Sequence, residues 1–389
     1  GSNNNKRVET TTMQSNKLRM AIRATAAATV LGMASQAGAV SFSAGDYDVN
    51  VYGYARLNAS YDVDSDQSLS TRSGSYGGLA GNDDAAEGHF GADAVQSRLG
   101  FKTTSPEGLN VTVEGDFRPG NLRLRHAFGE YKGVLMGQTW SNFTSFVGNT
   151  ATLDFDSLPG LAGLQGRVAQ ARYTTGALSF SLEEPNSNLL DSAGNDADTK
   201  DSMPAITARL EDSAGGMSYS AAVLAHQVGY DDGNDDESAF GFATFVAAKM
   251  ALTDMITIQG TLSYTDGANS YLYRSGDNFG ADSAYVDSSG DVETISGYGG
   301  SIGAGFNLGN GRSINVGYGL VEVDWDDAED DGVAVADQSE SNQAVMANYK
   351  WTPLKNVMMG VEYQFLKREN VDGTDGDASR LLFAAQYNF

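Results

Sequence analysis

The sequence predicts an all-β fold, a transmembrane antiparallel up-and-down β-barrel of about sixteen strands, on three observations. The first is the carboxyl terminus. From Arg380 to Phe389 the side chains alternate, with Leu381, Phe383, Ala385, Tyr387 and Phe389 on one face and Arg380, Gln386 and Asn388 on the other. The chain therefore ends inside a strand that is apolar outside, polar inside and aromatic at its end, the pattern of an outer-membrane barrel strand. The second is composition: 47 glycines, 6 prolines, 18 tyrosines and no cysteine in 389 residues, without the roughly twenty consecutive apolar residues of a transmembrane helix. The third is that short turns and long polar loops alternate along the chain, as they do at the two rims of such a barrel.

At the amino terminus, Met13 is followed by Lys17, Arg19 and Arg23, the apolar run Ala24 to Ala34 and the small residues Ala37-Gly38-Ala39. This is the layout of a signal peptide over 13–39 cut after Ala39, with 1–12 a tag or a misassigned start and 40–389 the barrel. Removing 1–39 takes away Lys6, Arg7, Lys17, Arg19 and Arg23 but only one acid, Glu9, so the formal charge falls from −25 to −29. Such an excess argues against nucleic acid and against anionic lipid as partners. The lack of cysteine removes disulfides, thiolate metal sites and thiol catalysis, and suits an exported chain.

Alternating segments of the length a tilted spanning strand needs fall at about 48–61, 94–104, 109–117, 121–131, 133–140, 166–175, 177–184, 203–211, 216–228, 238–250, 255–265, 294–308, 312–325, 341–351, 356–367 and 379–389. Tight turns are expected at Ser105 to Gly108, Lys132-Gly133, Thr175-Gly176, Asp212 to Gly215, Leu252 to Asp254, Gly309 to Gly311 and Pro353 to Lys355. The other connections, about 62–93, 118–120, 141–165, 185–202, 229–237, 266–293, 326–340 and 368–378, are mostly long and polar. In the first strand Val49, Val51, Gly53, Ala55, Leu57 and Ala59 oppose Asn50, Tyr52, Tyr54, Arg56, Asn58 and Ser60. In the fifteenth, Val357, Met359, Val361, Tyr363 and Phe365 oppose Met358, Gly360, Glu362 and Gln364. A closed barrel of this size holds an aqueous lumen lined by the polar faces, which is a channel in the outer membrane of a Gram-negative bacterium.

The third loop, from Trp140 to Gln165, is unusually apolar, with Phe143, Phe146, Val147, Leu153, Phe155, Leu158 and Leu161. Exposed, it would be an aggregation liability; folded inward it narrows the pore and turns Asp154 and Asp156 toward the constriction. Arginines collect opposite it: Arg56, Arg98, Arg123, Arg125 and Arg172 on lumen parity, Arg118 and Arg167 at strand–loop junctions. A basic wall against an acidic loop orients charged solutes, unless Glu114 and Asp116 on the same inward face neutralise several of the arginines. His126 and Glu130 fall on the outward parity of the fourth strand beside Leu122, Leu124 and Phe128, which predicts a subunit interface there, or else a bulge that turns them inward.

Acidic clusters occupy the long loops: Asp62, Asp64 and Asp66; Asp83, Asp84 and Glu87; Asp231, Asp232, Asp235, Asp236 and Glu237; Asp326, Asp327, Glu329, Asp330 and Asp331; Asp372, Asp375 and Asp377. None has the spacing of a calcium loop, so solvated loops in loose association with divalent cations are expected rather than a defined metal site or cofactor; bridging to anionic outer-leaflet lipid such as lipopolysaccharide is compatible. An enzyme is not expected. The three histidines are His89, His126 and His226, and no nucleophile elbow, zinc-ligand helix or phosphate loop occurs. Ser141-Asn142 near His126 is the nearest approach to a hydrolase constellation. A cation-selective general porin or adhesin governed by the acidic loops remains an alternative.

From Leu122-Arg123-Leu124-Arg125-His126-Ala127-Phe128 to Gly137-Gln138-Thr139-Trp140-Ser141-Asn142-Phe143, then at Leu153-Asp154-Phe155, the chain resembles the DcaP-like porins of Gram-negative bacteria. Arg172-Tyr173-Thr174, Leu178-Ser179-Phe180 and Glu183 extend the resemblance, which in specific motif covers about 120–185. It implies a trimer of sixteen-stranded barrels with an inward third loop, passing small anionic solutes such as dicarboxylates. Some members carry a coiled-coil extension before the barrel; here only Val40 to Tyr47 precede the first expected strand.

Overall fold

The computed structural model describes residues 39–65, 71–83 and 86–389. The expected signal peptide, apart from Ala39, and the segment 1–12 lie outside the described residues, as do Asp66 and Asp84.

Sixteen antiparallel strands close into a barrel. They are β1 (Tyr47–Asp62), β2 in two segments (His89–Asp93 and Arg98–Thr104), β3 (Asn110–Asp116), β4 (Arg123–Tyr131), β5 (Val134–Trp140), β6 (Arg167–Thr175), β7 (Leu178–Glu183) and β8 (Ala205–Ala214). The second half comprises β9 (Met217–Asp231), β10 (Asp236–Ala251), β11 (Ile256–Asp266), β12 (Ser296–Gly309), β13 (Arg312–Val323), β14 (Ser339–Leu354), β15 (Val357–Asn370) and β16 (Asp375–Asn388). Each strand pairs with its sequence neighbour, and β1 pairs with β16 from Tyr54↔Asn388 to Asp62↔Arg380, so the ring of sixteen strands is closed. Phe389 completes the seam by exchanging backbone hydrogen bonds with Gly53.

Below that seam Val40–Ala44, expected only to lead into the barrel, forms a short strand on β1 from Val40↔Val51 to Ala44↔Tyr47. The gap inside β2, expected to be continuous strand, falls at 94–97. There the backbone N–H of Arg56 is satisfied by Ser97 Oγ at 2.9 Å instead of by a ladder partner.

Alternation places the side chains as the sequence demands. On β1 Tyr52, Tyr54, Arg56, Asn58 and Ser60 are buried in the lumen while Leu57 and Tyr61 are exposed outward; on β16 Arg380, Leu382 and Gln386 point in and Leu381 and Tyr387 out. Several short turns fall one to three residues from where composition suggested. The β8–β9 turn is Gly215-Gly216, both with positive φ, and the β12–β13 turn is Asn310-Gly311, likewise. A two-residue hairpin whose central residues both need the left-handed region selects those dipeptides.

At the opposite rim are eight loops: loop 1 (63–88), loop 2 (117–122), loop 3 (141–166), loop 4 (184–204), loop 5 (232–235), loop 6 (267–295), loop 7 (324–338) and loop 8 (371–374). Two of them are far shorter than expected. Pairing of β9 with β10 continues to Asp231↔Asp236 and of β15 with β16 to Glu369↔Asp375, because antiparallel ladders run on above the bilayer wherever a tight turn closes them. The acidic stretch of loop 7 is a short helix, Asp326–Asp330, that seats Ala328 in an apolar cluster with Trp325, Val333 and Val335.

Candidate functional site: the constriction

Loop 3 crosses the lumen. Phe143, Leu153, Leu158 and Leu161 are 1–3% exposed, which is worth about 1.5–3 kcal/mol per side chain relative to exposure. Phe143 packs on Phe245 of β10, ring centroids 4.9 Å apart. The far wall receives the loop through glycines. A Cβ on Gly160 would sit 2.4 Å from the Gly300 carbonyl oxygen of β12, so only glycine permits the approach. Polar groups fix the remainder: Gln259 Nε2 donates to Thr150 Oγ1 and Asn348 Nδ2 to the Ala151 carbonyl, both at 2.8 Å.

The basic wall faces this loop, and its charges are unequally paired. Arg123 grips Asp116 through Nε and Nη2 at 2.8 and 3.1 Å. Arg125 Nε lies 2.8 Å from Glu114 Oε2 and Nη1 3.7 Å from Asp116 Oδ2. Glu114 and Asp116 thus neutralise two arginines. Arg56 instead donates to three neutral acceptors, Asn58 Oδ1, Gln386 Oε1 and the Leu153 carbonyl, each at 2.9 Å. Arg98 lies over the Tyr54 ring at 4.7 Å and Arg167 over Trp140 at 4.9 Å, both within cation–π range. Arg172 donates to Gln170 Oε1 at 3.0 Å and to the Trp140 carbonyl. Arg118 is exposed. Among the described residues, Arg56, Arg98, Arg118, Arg167 and Arg172 form no ion pair.

Two expectations are corrected here. His126 and Glu130 do not form an outward subunit face; of the two readings, the bulge that turns them inward is the one that holds. β3 and β4 pair Glu114↔His126 and then Gly115↔Leu124, so Arg125 is an extra residue in a β-bulge. The bulge resets the parity: Leu122 and Leu124 stay outward, 61% and 52% exposed, while His126 and Phe128 are 1% and 5% exposed inside. His126 Nδ1 is 2.9 Å from Thr139 Oγ1 and Nε2 is 3.6 Å from Glu114.

Asp154, expected at the mouth of the constriction, is turned into the loop. Its Oδ1 accepts the N–H groups of Asp156 and Ser157 at 2.8 and 3.1 Å, and its Oδ2 accepts Gln364 Nε2 at 2.8 Å and the Gly74 N–H at 3.3 Å. Burial pushes its carboxyl up, against the opposing charge of Arg274. Asp156 is also buried and lies in the field of Arg72.

Arg72 and Arg274, carried by loops 1 and 6, escaped the sequence reading because irregular loops have no periodicity to place them. The Arg72 guanidinium sits 4.1 Å over Phe155 at the loop 3 tip. Burial lowers its pKa to about 10, and the like charge of Arg118 adds to the effect. Ser141 is fully buried and donates to Glu183 Oε1 at 2.6 Å, so its hydroxyl is committed to a carboxylate rather than to His126.

The comparisons with known proteins agree with this architecture. The sequence profile of the DcaP outer membrane protein family matches residues 14–389. The chain belongs to that family. The outer membrane channel DcaP of Acinetobacter baumannii superimposes with a TM-score of 0.73 at 28% identity, over 89% of this chain and 99% of that one. OmpT, an outer membrane protein of Vibrio cholerae, gives 0.55 at 11% identity over 90% and 99%. The anion-selective porin from Comamonas acidovorans gives 0.55 at 12% over 88% and 100%; at such identity both show the fold alone. No curated protein sequence matches. This DcaP family member is an outer-membrane channel of a Gram-negative bacterium.

Proposed function

We propose that this channel passes small hydrophilic anions, dicarboxylates among them, in preference to cations. The observation that carries the reading is that Arg56, Arg98, Arg118, Arg167 and Arg172 make no ion pair with a carboxylate among the described residues. In a lumen narrowed by protein, uncompensated guanidinium groups act at lower effective dielectric than in bulk water and attract anions. The acidic clusters have another use. Asp232 Oδ1 accepts the N–H groups of Asn234 and Asp235, and Asp372 Oδ1 that of Thr374, so several acids cap their own turns. They are solvated turn formers with loosely held cations, not a selectivity filter. The test is the reversal potential of the reconstituted protein across a potassium chloride gradient, with succinate added as competitor. Chloride preference and succinate block are expected; potassium preference without block overturns the reading.

The same channel is proposed to be a homotrimer. From β3 to β7 the strands are 7, 9, 7, 9 and 6 residues long. Seven residues at ~3.3 Å each and a tilt of about 45° rise only ~16 Å, short of the ~25 Å apolar band. This low arc needs cover other than acyl chains, and a second copy of the chain supplies it. Mass measurement of the detergent-extracted protein checks this: three chains are expected, and a monomer overturns it.

A further inference from the structure

Loop 6 reaches the constriction from the side opposite the basic wall. Asn269, Tyr271, Tyr273 and Arg274 are 0–6% exposed, and the Tyr273 hydroxyl donates to the Asp156 carbonyl of loop 3 at 2.6 Å. Arg274 joins three loops with one side chain. Its guanidinium donates to the Ser157 carbonyl of loop 3, to the Gly74 carbonyl of loop 1 and, at 3.1 Å, to Asn278 Oδ1 of loop 6 itself. It also lies over the Tyr76 ring of loop 1 at 5.0 Å. The wall backs the arrangement: Asn342 Nδ2 of β14 donates to the Arg274 and Gly276 carbonyls, each at 2.8 Å. Arg274 and Ser157 both have positive φ, 61° in each case, a conformation that a non-glycine residue keeps only where its surroundings impose it.

We propose that loop 6, acting through Arg274, sets the aperture of this channel. Loop 3 is held by the wall at Leu153 and Asp154, whereas the carbonyls of its next turn, those of Asp156 and Ser157, are held by Tyr273 and Arg274. That second attachment is the one that loop 6 controls. A rigid fork with several donors is needed to serve carbonyls from two loops at once, and no other side chain offers it. Arg274 is thus a positioning residue that fixes where loop 3 stands relative to the arginine wall. The inference rests on the channel function and not on its anion preference.

The experiment is single-channel recording of R274A, R274K and N342A in planar bilayers, with the heat-dependent electrophoretic shift of each variant as the measure of an intact barrel. R274A and N342A are expected to raise conductance at least about twofold and to add rapid flicker, with R274K in between. Should R274A fail to assemble, N342A carries the test, since it keeps the guanidinium and frees the loop 6 backbone. Unchanged or lowered conductance in intact barrels overturns the proposal. The anion reading stands or falls separately, on the wild-type reversal potential.

Discussion

Glu362 of β15 accepts the backbone N–H of Leu153 at 2.8 Å, so a wall carboxylate holds the tip of a loop that springs from β5 and β6. Its second oxygen takes the Asp154 N–H at 3.1 Å, and Asn348 Nδ2 and Gln364 Nε2 donate to the same carboxylate at 3.0 and 2.8 Å. Four donors converge on one buried side chain that the alternation of β15 had marked only as lumen-facing. A carboxylate suits the position because it alone is acceptor-only on both oxygens.

Replacing Glu362 by glutamine puts an NH2 group against donors and leaves at least one buried N–H without an acceptor. The expected cost is about 1–3 kcal/mol, concentrated at the loop 3 attachment. Open-channel noise should rise, and protease should cut loop 3 in E362Q under conditions where it spares the wild type. A quiet, resistant E362Q channel would show that the other attachments of the loop suffice to hold it.

The unequal pairing of the arginines separates selectivity from folding. Arg118 is exposed and makes no ion pair among the described residues, so R118Q should move the reversal potential toward potassium while the barrel assembles normally. Arg125 is 1% exposed and bonded to Glu114, so R125Q strands a buried carboxylate, at a cost of about 3–5 kcal/mol. Assembly yield and thermal resistance should fall for R125Q before selectivity changes. Equal effects of the two substitutions on selectivity would contradict this division.

At Gly160, loop 3 docks on a stretch of β12 that carries no side chain at Gly300. In G160V the new Cβ would lie 2.4 Å from the Gly300 carbonyl oxygen, at a φ of +78° that valine resists. The loop is expected to lift off β12, which conductance would report as a wider pore, with a loss of stability of about 1–3 kcal/mol. A folded G160V channel of wild-type conductance would mean that β12 gives way instead.

The wall was legible because side chains alternate with a period of two, so Arg56, Arg98 and Arg172 were placed inside by parity alone. The bulge at Arg125 was legible only as one of two alternatives for His126 and Glu130, since Leu122 to Phe128 read equally well as unbroken alternation, and a single inserted residue inverts everything after it. The inward third loop was visible as apolar residues without a strand to carry them. The junction made by Arg72, Arg274 and loop 6 was invisible, because its contacts join residues from 83 to 200 positions apart through irregular backbone.

Loop 6 also carries a titrating group in the physiological range. Burial, and then the negative charges of Asp196 and Asp277, push the Asp282 carboxyl up to about 7. Its backbone carbonyl accepts Asn269 Nδ2 at 3.0 Å, which places it against the turn that leads to Arg274. A carboxyl whose folded pKa exceeds its unfolded value binds its proton more tightly in the folded loop. Protonation therefore stabilises the packed loop below about 7, and this contribution is lost as pH rises through that value. Cleavage of loop 6 by a protease active across the range, corrected for the enzyme's own pH profile, should be faster at pH 8 than at pH 6. D282N, neutral at both, should remove the difference; the same pH dependence in D282N would assign it to another group.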